Sequence, residues 1–272
     1  MTKHNEEYES LRIDVPPSYR EIFSHFYFAE NNTDTTFRKT FLPSYQTILV
    51  LSFGNNVLLH SQNTHIEIAE CVILRTIKKA FDYSLPPNSK ILVVNFKNDA
   101  FYRFFGHALI SQNSTIEPDK LLRENCFTLL RKKLNEIERV DMQINYILEF
   151  CKPYLKERNC IAEQLSNFEE SSLDPIKTIA ESNDQTQRNI QIYQKTYFGY
   201  SNKEINRYKR FLKAIELIDN TVIKKKKVDW FTIINYCGYY DQSQLIRDFK
   251  HYINLSPLKY IKFQQDICNS KN

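Results

Sequence analysis

The chain has 272 residues, a net charge of +5 and 42% hydrophobic residues, which suits two ordinary domains with a mildly basic surface. Its longest apolar runs are strand-length, well short of the roughly twenty residues a membrane span needs, and no signal-like apolar N-terminus is visible. Four glycines leave little from which to build a phosphate-cradling loop or a nucleophile elbow, so no enzyme is expected.

The first part of the chain has a β texture. Short β-branched or aromatic runs at 45–53, 56–61, 64–69, 71–76, 81–85 and 90–96 are separated by turn residues such as Gly54-Asn55-Asn56 and Pro86-Pro87-Asn88. Several short strands at close spacing predict an antiparallel sandwich or barrel, closed by a short helix over 101–108. Tyr45, Phe53, Phe81 and Phe96 are candidates to line a ligand cavity or, more simply, to fill a core. His60, His65, Glu67 and His107 are the right types for a metal site. His60 and His65 are, however, an odd number of residues apart across a turn and need not converge, so no metal and no cofactor is expected. Cys71, Cys126, Cys151, Cys160, Cys237 and Cys268 include no pair at CxxC spacing and read as reduced thiols of a cytoplasmic protein.

Two helical stretches follow, 120–138 with an apolar stripe of Leu121, Leu122, Leu129, Leu130, Leu134 and Ile137, and 141–156 with Ile144, Ile147, Leu148 and Leu155. Their stripes suit packing within the monomer or a dimer interface equally.

Beyond them the pattern becomes helix, tight turn, helix. Ile176, Ile179 and Ala180 mark a first helix, 182–185 a turn, and Thr186 the N-cap of a second helix that carries Arg188, Ile190, Gln191 and Lys195 and stops before Gly199. Residues 202–220 contain few breakers and carry Ile205, Tyr208, Phe211, Leu212, Ile215 and Ile218 at helical spacing. Nineteen helical residues span roughly 28 Å. A short helix over 230–237, with Phe231, Ile234 and Cys237 inward, is then stopped by Gly238, which can take the left-handed conformation. Asp241 is the next N-cap, with Gln244 placed to reach back as in a capping box. Leu245, Phe249 and Tyr252 form a buried stripe, and Gln242, Ser243, Ile246, Arg247 and Lys250 occupy the other side. That is side-chain chemistry suited to base edges and phosphates. Setting Ile190 on Leu245 brings Thr186 onto Asp241, Arg188 onto Ser243 and Lys195 onto Lys250, so the chain carries two such units. Joined by the long helix, they would sit about one duplex turn, roughly 34 Å, apart. The positive excess falls mainly in 159–272, and Lys224-Lys225-Lys226-Lys227 is its densest run, a candidate phosphate contact or a solvated loop.

From about Asn159 to Asp266 the sequence resembles the DNA-binding domain of the AraC/XylS family of bacterial transcription regulators. The second unit carries the more specific match, in Gly238, Tyr239, Asp241, Gln242, Ser243, Leu245, Arg247, Phe249, Lys250, Ser256, Pro257 and Tyr260. In the first unit Ile179, Ala180, Thr186, Arg188, Ile190, Gln191, Gly199 and Ser201 fit. Asp184 stands at the usual turn glycine there, Gln194 at an apolar position and Asn202 at a common proline. The resemblance implies Arg188, Gln191 and Ile192, and Gln242, Ser243 and Arg247, as base-facing residues. Thr186, Lys195, Asp241 and Lys250 would serve phosphates or helix caps. The β region, with Ser84-Leu85-Pro86-Pro87 leading to Val93-Val94-Asn95-Phe96, is similar to the cupin-like sensor domains that precede such readers.

The expected fold is therefore α+β, a cupin-like antiparallel β-barrel or sandwich with flanking helices ahead of an all-α domain of two helix-turn-helix units joined by a long helix. The expected segments are 1–119 for the sensor, 120–158 for linker or dimerisation helices and 159–272 for the DNA reader. The implied partner is double-stranded DNA. A small-molecule effector and RNA polymerase are further partners that the family allows, with no membrane partner and either a monomer or a homodimer. Two alternatives stand beside this reading, a regulator whose first domain makes only protein contacts and a metal-dependent cupin enzyme fused to a DNA-binding domain.

Overall fold

The structure, a computed structural model, describes residues 8–61, 64–106, 116–122, 124–168 and 173–262. Contacts group them into two compact units, one holding the chain to Ile77 together with Phe81–Tyr200, the other holding the segment 78–80 and the chain from Ser201 onward.

Among the described residues the first unit is built on nine strands: β1 (Tyr8–Asp14), β2 (Phe23–Asn31), β3 (Phe37–Phe41), β4 (Ile48–Gly54), β5 (Val57–Ser61), β6 (Thr64–Ile68), β7 (Cys71–Leu74), β8 (Phe81–Leu85) and β9 (Ser89–Phe96). They form two antiparallel sheets in the orders β1-β2-β9-β4-β7 and β3-β8-β5-β6, an open sandwich rather than a closed barrel. Ile48, Val50, Val72, Ile91 and Val93 of the larger sheet meet Val57, Leu59, Ile68, Tyr83 and Leu85 of the smaller one in a single core. The alternate residues Leu49, Leu51, Phe53, Ile73, Leu92, Val94 and Phe96 point the other way, into a second core shared with helices. A sheet covered on both faces reads as continuous apolar sequence, which is why 48–53 and 91–96 stand out. β1, β2 and β3 had no such signal. β1 and β3 are edge strands carrying Glu9, Arg12, Asp14, Arg38 and Lys39, which protect an edge from further pairing, and β2 has a register irregularity between Phe23 and His25.

The covering helices are α1 (Ala100–Phe105), α2 (Pro118–Leu122), α3 (Cys126–Asn135) and α4 (Val140–Cys151). The single helix expected over 120–138 is two. Asp119 of α2 accepts hydrogen bonds from the Phe127 and Thr128 backbone N–H groups at 2.7 and 2.9 Å, so its carboxylate satisfies the free donors at the start of a new helix. Phe127, Leu130, Leu134, Ile144, Ile147 and Leu148 are buried in the core beneath the sheet, and packing within the monomer accounts for both apolar stripes. Leu129 is the exception, 62% exposed. The fully buried Gln143 donates to the carbonyls of Leu134 and Ile137 at 3.0 and 2.8 Å, tying the end of α3 to α4.

His25, half-buried on β2, is pushed down to about 4 by burial and then by the Arg12 charge. Below its ordinary value of 6.5, the unfolded chain therefore takes up a proton that the folded one refuses. The stability of this unit should be complete above that pH and decline as pH falls toward about 4, by about 1–2 kcal/mol after allowing for partial exposure. Urea midpoints at neutral and acid pH measure this, and His25→Gln should flatten the difference. An unchanged slope in that variant would assign the acid sensitivity to other groups.

The first unit ends with α5 (Cys160–Ser166), α6 (Pro175–Ser182) and α7 (Gln187–Phe198), whose own core is Ile161, Ile176, Ile179, Ala180 and Ile190. The second unit contains α8 (Asn202–Ile223), α9 (Trp230–Cys237) and α10 (Gln242–Ile253). Ser201 and Glu204 form a full capping box at the start of α8, whose 22 residues span about 33 Å. Among the described residues no helix is long and apolar enough to cross a membrane.

Candidate nucleic-acid interface

Each candidate reading helix is set by a local device. In the first unit, Asp184 takes φ 54° in the turn, a conformation that Asp tolerates better than most side chains. Thr186 Oγ1 accepts the Asn189 N–H at 3.2 Å as α7 begins. The helix stops at Gly199, whose φ is 75° and where a Cβ would collide with the Thr76 hydroxyl. Ile190, Gln194 and Phe198 are its buried face. Gln194 sits where an apolar residue was expected, and its side-chain oxygen has no hydrogen-bond partner among the described residues. On the opposite side, Arg188, Ile192 and Lys195 follow one another up the middle of the exposed face, with Gln191 exposed on its flank.

In the second unit α9 ends at Gly238, φ 76°, and Asp241 Oδ1 accepts the Gln244 N–H at 2.6 Å. The reciprocal bond differs from the expected capping box: Gln244 Oε1 accepts from Tyr240 N–H at 2.9 Å, one residue before the cap. Leu245, Phe249 and Tyr252 are buried as expected, together with Asp248. Phe211 of α8 packs against Phe249 and Tyr252 with ring centroids 5.1 and 4.7 Å away. Ser243, Arg247 and Lys250 occupy the centre of the exposed face, and Gln242 is exposed in its first turn. Phe231 was expected inward; it is 73% exposed, because Ile233 and Cys237 take the buried side of α9. Leu212, one of the residues of the expected α8 stripe, is likewise 43% exposed, and Ala214 is buried in addition. The four lysines at 224–227 are exposed.

Residues not singled out in the sequence hold this arrangement. Asp248 is 1% exposed and accepts from Arg207 Nε at 2.7 Å and Arg210 Nη2 at 3.2 Å, fixing α10 to α8. The Arg210 guanidinium also lies over the Tyr239 ring, 4.6 Å from its centroid. In the first unit, Arg158 grips Asp99 at 2.7 and 3.1 Å and reaches Ser166 at 2.6 Å, which links the sheet's last loop to α5. Partners 38 to 59 residues away leave no local sequence signal.

The four aromatic residues considered for a cavity do not converge. Phe53 and Phe96 belong to the core beneath the helices, Phe81 packs against the core between the sheets, and Tyr45 pairs with Tyr200 at 5.5 Å. An open cleft of about 320 Å³ lies elsewhere, lined by Asp14, Val15, Arg20, Phe23, Ser24 and Lys97. His60 and His65 do meet. They are direct cross-strand partners, and their Nδ1 atoms are 2.9 Å apart, while His60 Nε2 lies 2.6 Å from Ser84 Oγ. Glu67 is engaged by Asn56, and His107 lies outside the described residues, as does Cys268. Among the described residues no group of three or more His, Cys, Asp and Glu side chains is placed to hold a metal ion. Burial pushes the Cys71 thiol far up and that of Cys151 up to about 12, which keeps both protonated and unreactive.

No family model matches the chain, and no curated protein matches it significantly. Among solved structures it is similar to ToxT from Vibrio cholerae O395, at 14% identity and a TM-score of 0.38 over 88% of this chain and 97% of that one. A 1.65 Å structure of ToxT from Vibrio cholerae aligns at 13% identity and a TM-score of 0.39, over 94% and 98% of the two chains. The cupin_2 domain of an XRE family transcriptional regulator from Enterobacter cloacae aligns at 6% identity and a TM-score of 0.26, over 32% of this chain and 94% of that one. Superpositions at this level carry no argument for function.

Proposed function

We propose that the protein is a sequence-specific, double-stranded DNA-binding transcription regulator of the AraC/XylS type. The observation that carries this reading is a duplicated one: α7 and α10 each follow a tight turn, begin at a side-chain cap, bury one stripe and present a cation-bearing polar face on the other side. A helix of that form, entered by its N-terminal half, fits a major groove. Arg188, Gln191 and Ile192 of α7, and Gln242, Ser243 and Arg247 of α10, are assigned to base edges. Lys195 and Lys250 are assigned to phosphates, with Thr186 and Asp241 as caps whose neighbouring N–H groups face the backbone. Residues 159–272 supply the reader, while 1–119 and the helices of 120–158 supply effector sensing or dimerisation. An effector would act by binding one conformation of the chain more tightly than another. RNA polymerase is the partner through which such a regulator would act in the cytoplasm. No catalytic step is assigned to any residue.

Selection of duplexes from a random library by the purified chain tests the reading. A motif of two blocks about ten base pairs apart is expected; absence of any enriched motif, from the whole chain and from 159–272 alike, would sink it. On the selected duplex, Arg247→Ala should lower affinity by about 1–3 kcal/mol and relax base choice at one position. Lys250→Ala should weaken all sequences alike and reduce the salt slope by about one. Equal losses for Arg247→Ala on selected and random DNA would move that residue to a phosphate.

A further inference from the structure

The two candidate reading helices correspond residue by residue, and their centres differ in chemistry. With Ile190 of α7 matched to Leu245 of α10, both fully buried, Ile192 corresponds to Arg247 and Lys195 to Lys250. At about 100° per residue, Ile192 lies opposite the Ile190 and Gln194 side of α7, one turn beyond Arg188. It is 54% exposed, the large aliphatic residue on an otherwise polar face. Arg247 lies at the equivalent place on α10, exposed, with no hydrogen bond or ion pair given to it by the described residues. Elsewhere on the two faces Arg188 corresponds to Ser243 and Gln191 to the half-buried Ile246, and both faces end in a lysine.

Major-groove chemistry separates these two centres. A guanidinium is matched to the paired acceptors O6 and N7 of guanine, whereas an aliphatic side chain has no hydrogen bond to offer and gains only by covering apolar surface, which in the major groove is the C5 methyl of thymine. Covering an exposed isoleucine with such surface gains about 0.8 kcal/mol for each methyl-sized increment buried.

We propose that the two helices read unlike blocks: α7 contacts a thymine methyl through Ile192, and α10 contacts a guanine through Arg247, so that one chain recognises an asymmetric site in a fixed orientation. This rests on the DNA-reading function proposed above, and it adds which base each block must contain.

The test uses the full chain and the duplex it selects. Each thymine is replaced in turn by uracil, which removes the C5 methyl and nothing else, and each guanine by 7-deazaguanine, which removes the N7 acceptor. One uracil position in one block should weaken binding by about fourfold, the increment for burying a methyl, and that penalty should vanish in Ile192→Ala while persisting in Arg247→Ala. One deazaguanine position in the other block should weaken binding by about tenfold, with the penalty lost in Arg247→Ala and retained in Ile192→Ala. Both residues are exposed, so both variants should keep the wild-type denaturation midpoint. Specific binding indifferent to every uracil, or a uracil penalty that survives in Ile192→Ala, overturns the assignment of Ile192 and leaves the DNA-reading function standing; an isoleucine that covers a protein partner would behave in this way. Failure to select any duplex overturns both.

Discussion

Arg158→Met should lower the stability of the sandwich unit by about 3–5 kcal/mol, the range for breaking a buried ion pair from one side. The acceptor is Asp99, 1% exposed in its side chain, and the Arg158 side chain that pairs with it is itself only 12% exposed. Two parallel bonds of 2.7 and 3.1 Å make this the bidentate geometry in which Arg–carboxylate attraction is strongest. Glu21, 3.9 Å from the same arginine and largely exposed, contributes little by comparison. Methionine fills much of the volume but leaves the Asp99 carboxylate buried without a counter-charge. A urea midpoint shifted downward at unchanged m-value would report the loss as one of stability. Arg158→Met combined with Asp99→Leu should recover most of it, because a matched apolar pair carries no desolvation penalty. If the double variant were no better than the single one, lost packing rather than an orphaned charge would be the cause. The location adds a functional side to the expectation. Asn159, the next residue, caps α5 by accepting from Ile161 and Ala162, so Arg158 holds the start of the α5–α7 cluster to the sheet, and loosening it should raise hydrogen exchange in α7 before the strands respond.

The parts of the fold that were legible in the sequence are those whose physics is local. Thr186, Asp241, Gly199 and Gly238 each act on atoms within a few residues, and each sits in the structure where the capping rules put it. β4 and β9 were legible because burial on both faces leaves an unbroken apolar run. Edge strands carry charge for their own protection and so resemble loops, which hid β1 and β3. Phe231 was misplaced because two helical faces of α9 are apolar, and only the position of α8 decides which one is buried. Spacing across a turn left open whether His60 and His65 converge, and it is the β5–β6 register that makes them opposite partners. Of the candidate interface, the exposed residues could be named from sequence, since exposure follows from helical period once the buried stripe is known. Asp99, Arg158, Arg207, Arg210 and Asp248 could not, because what gives them importance is a partner elsewhere in the chain.

Asp248→Asn should have the largest effect in the second unit, about 3 kcal/mol of stability, and it should act on DNA binding through position rather than contact. Asp248 is buried on the same side of α10 as Leu245 and Phe249, and its two oxygens take one arginine each from successive turns of α8. Asparagine keeps the shape but removes the charge, leaving Arg207 and Arg210 to repel one another beside an amide whose donor meets only donors. Both arginines are partly exposed, 37% and 23% in their side chains, which tempers the cost relative to a fully enclosed triad. The chain's single tryptophan, Trp230 at the start of α9, makes unfolding of this unit readable by fluorescence. Under conditions where the variant remains folded, affinity for the selected duplex should still fall, because α10 has lost one of the two bonds that aim it. Base preference should survive in the residual binding, since Arg247 and Ser243 are intact, and this separates Asp248 from Arg247, whose replacement should relax preference without moving the midpoint. If the Asp248→Asn variant instead unfolded like the wild type, water would have to be solvating both guanidinium groups, and the aromatic packing of Phe211 on Phe249 and Tyr252 would be what holds α10 in place.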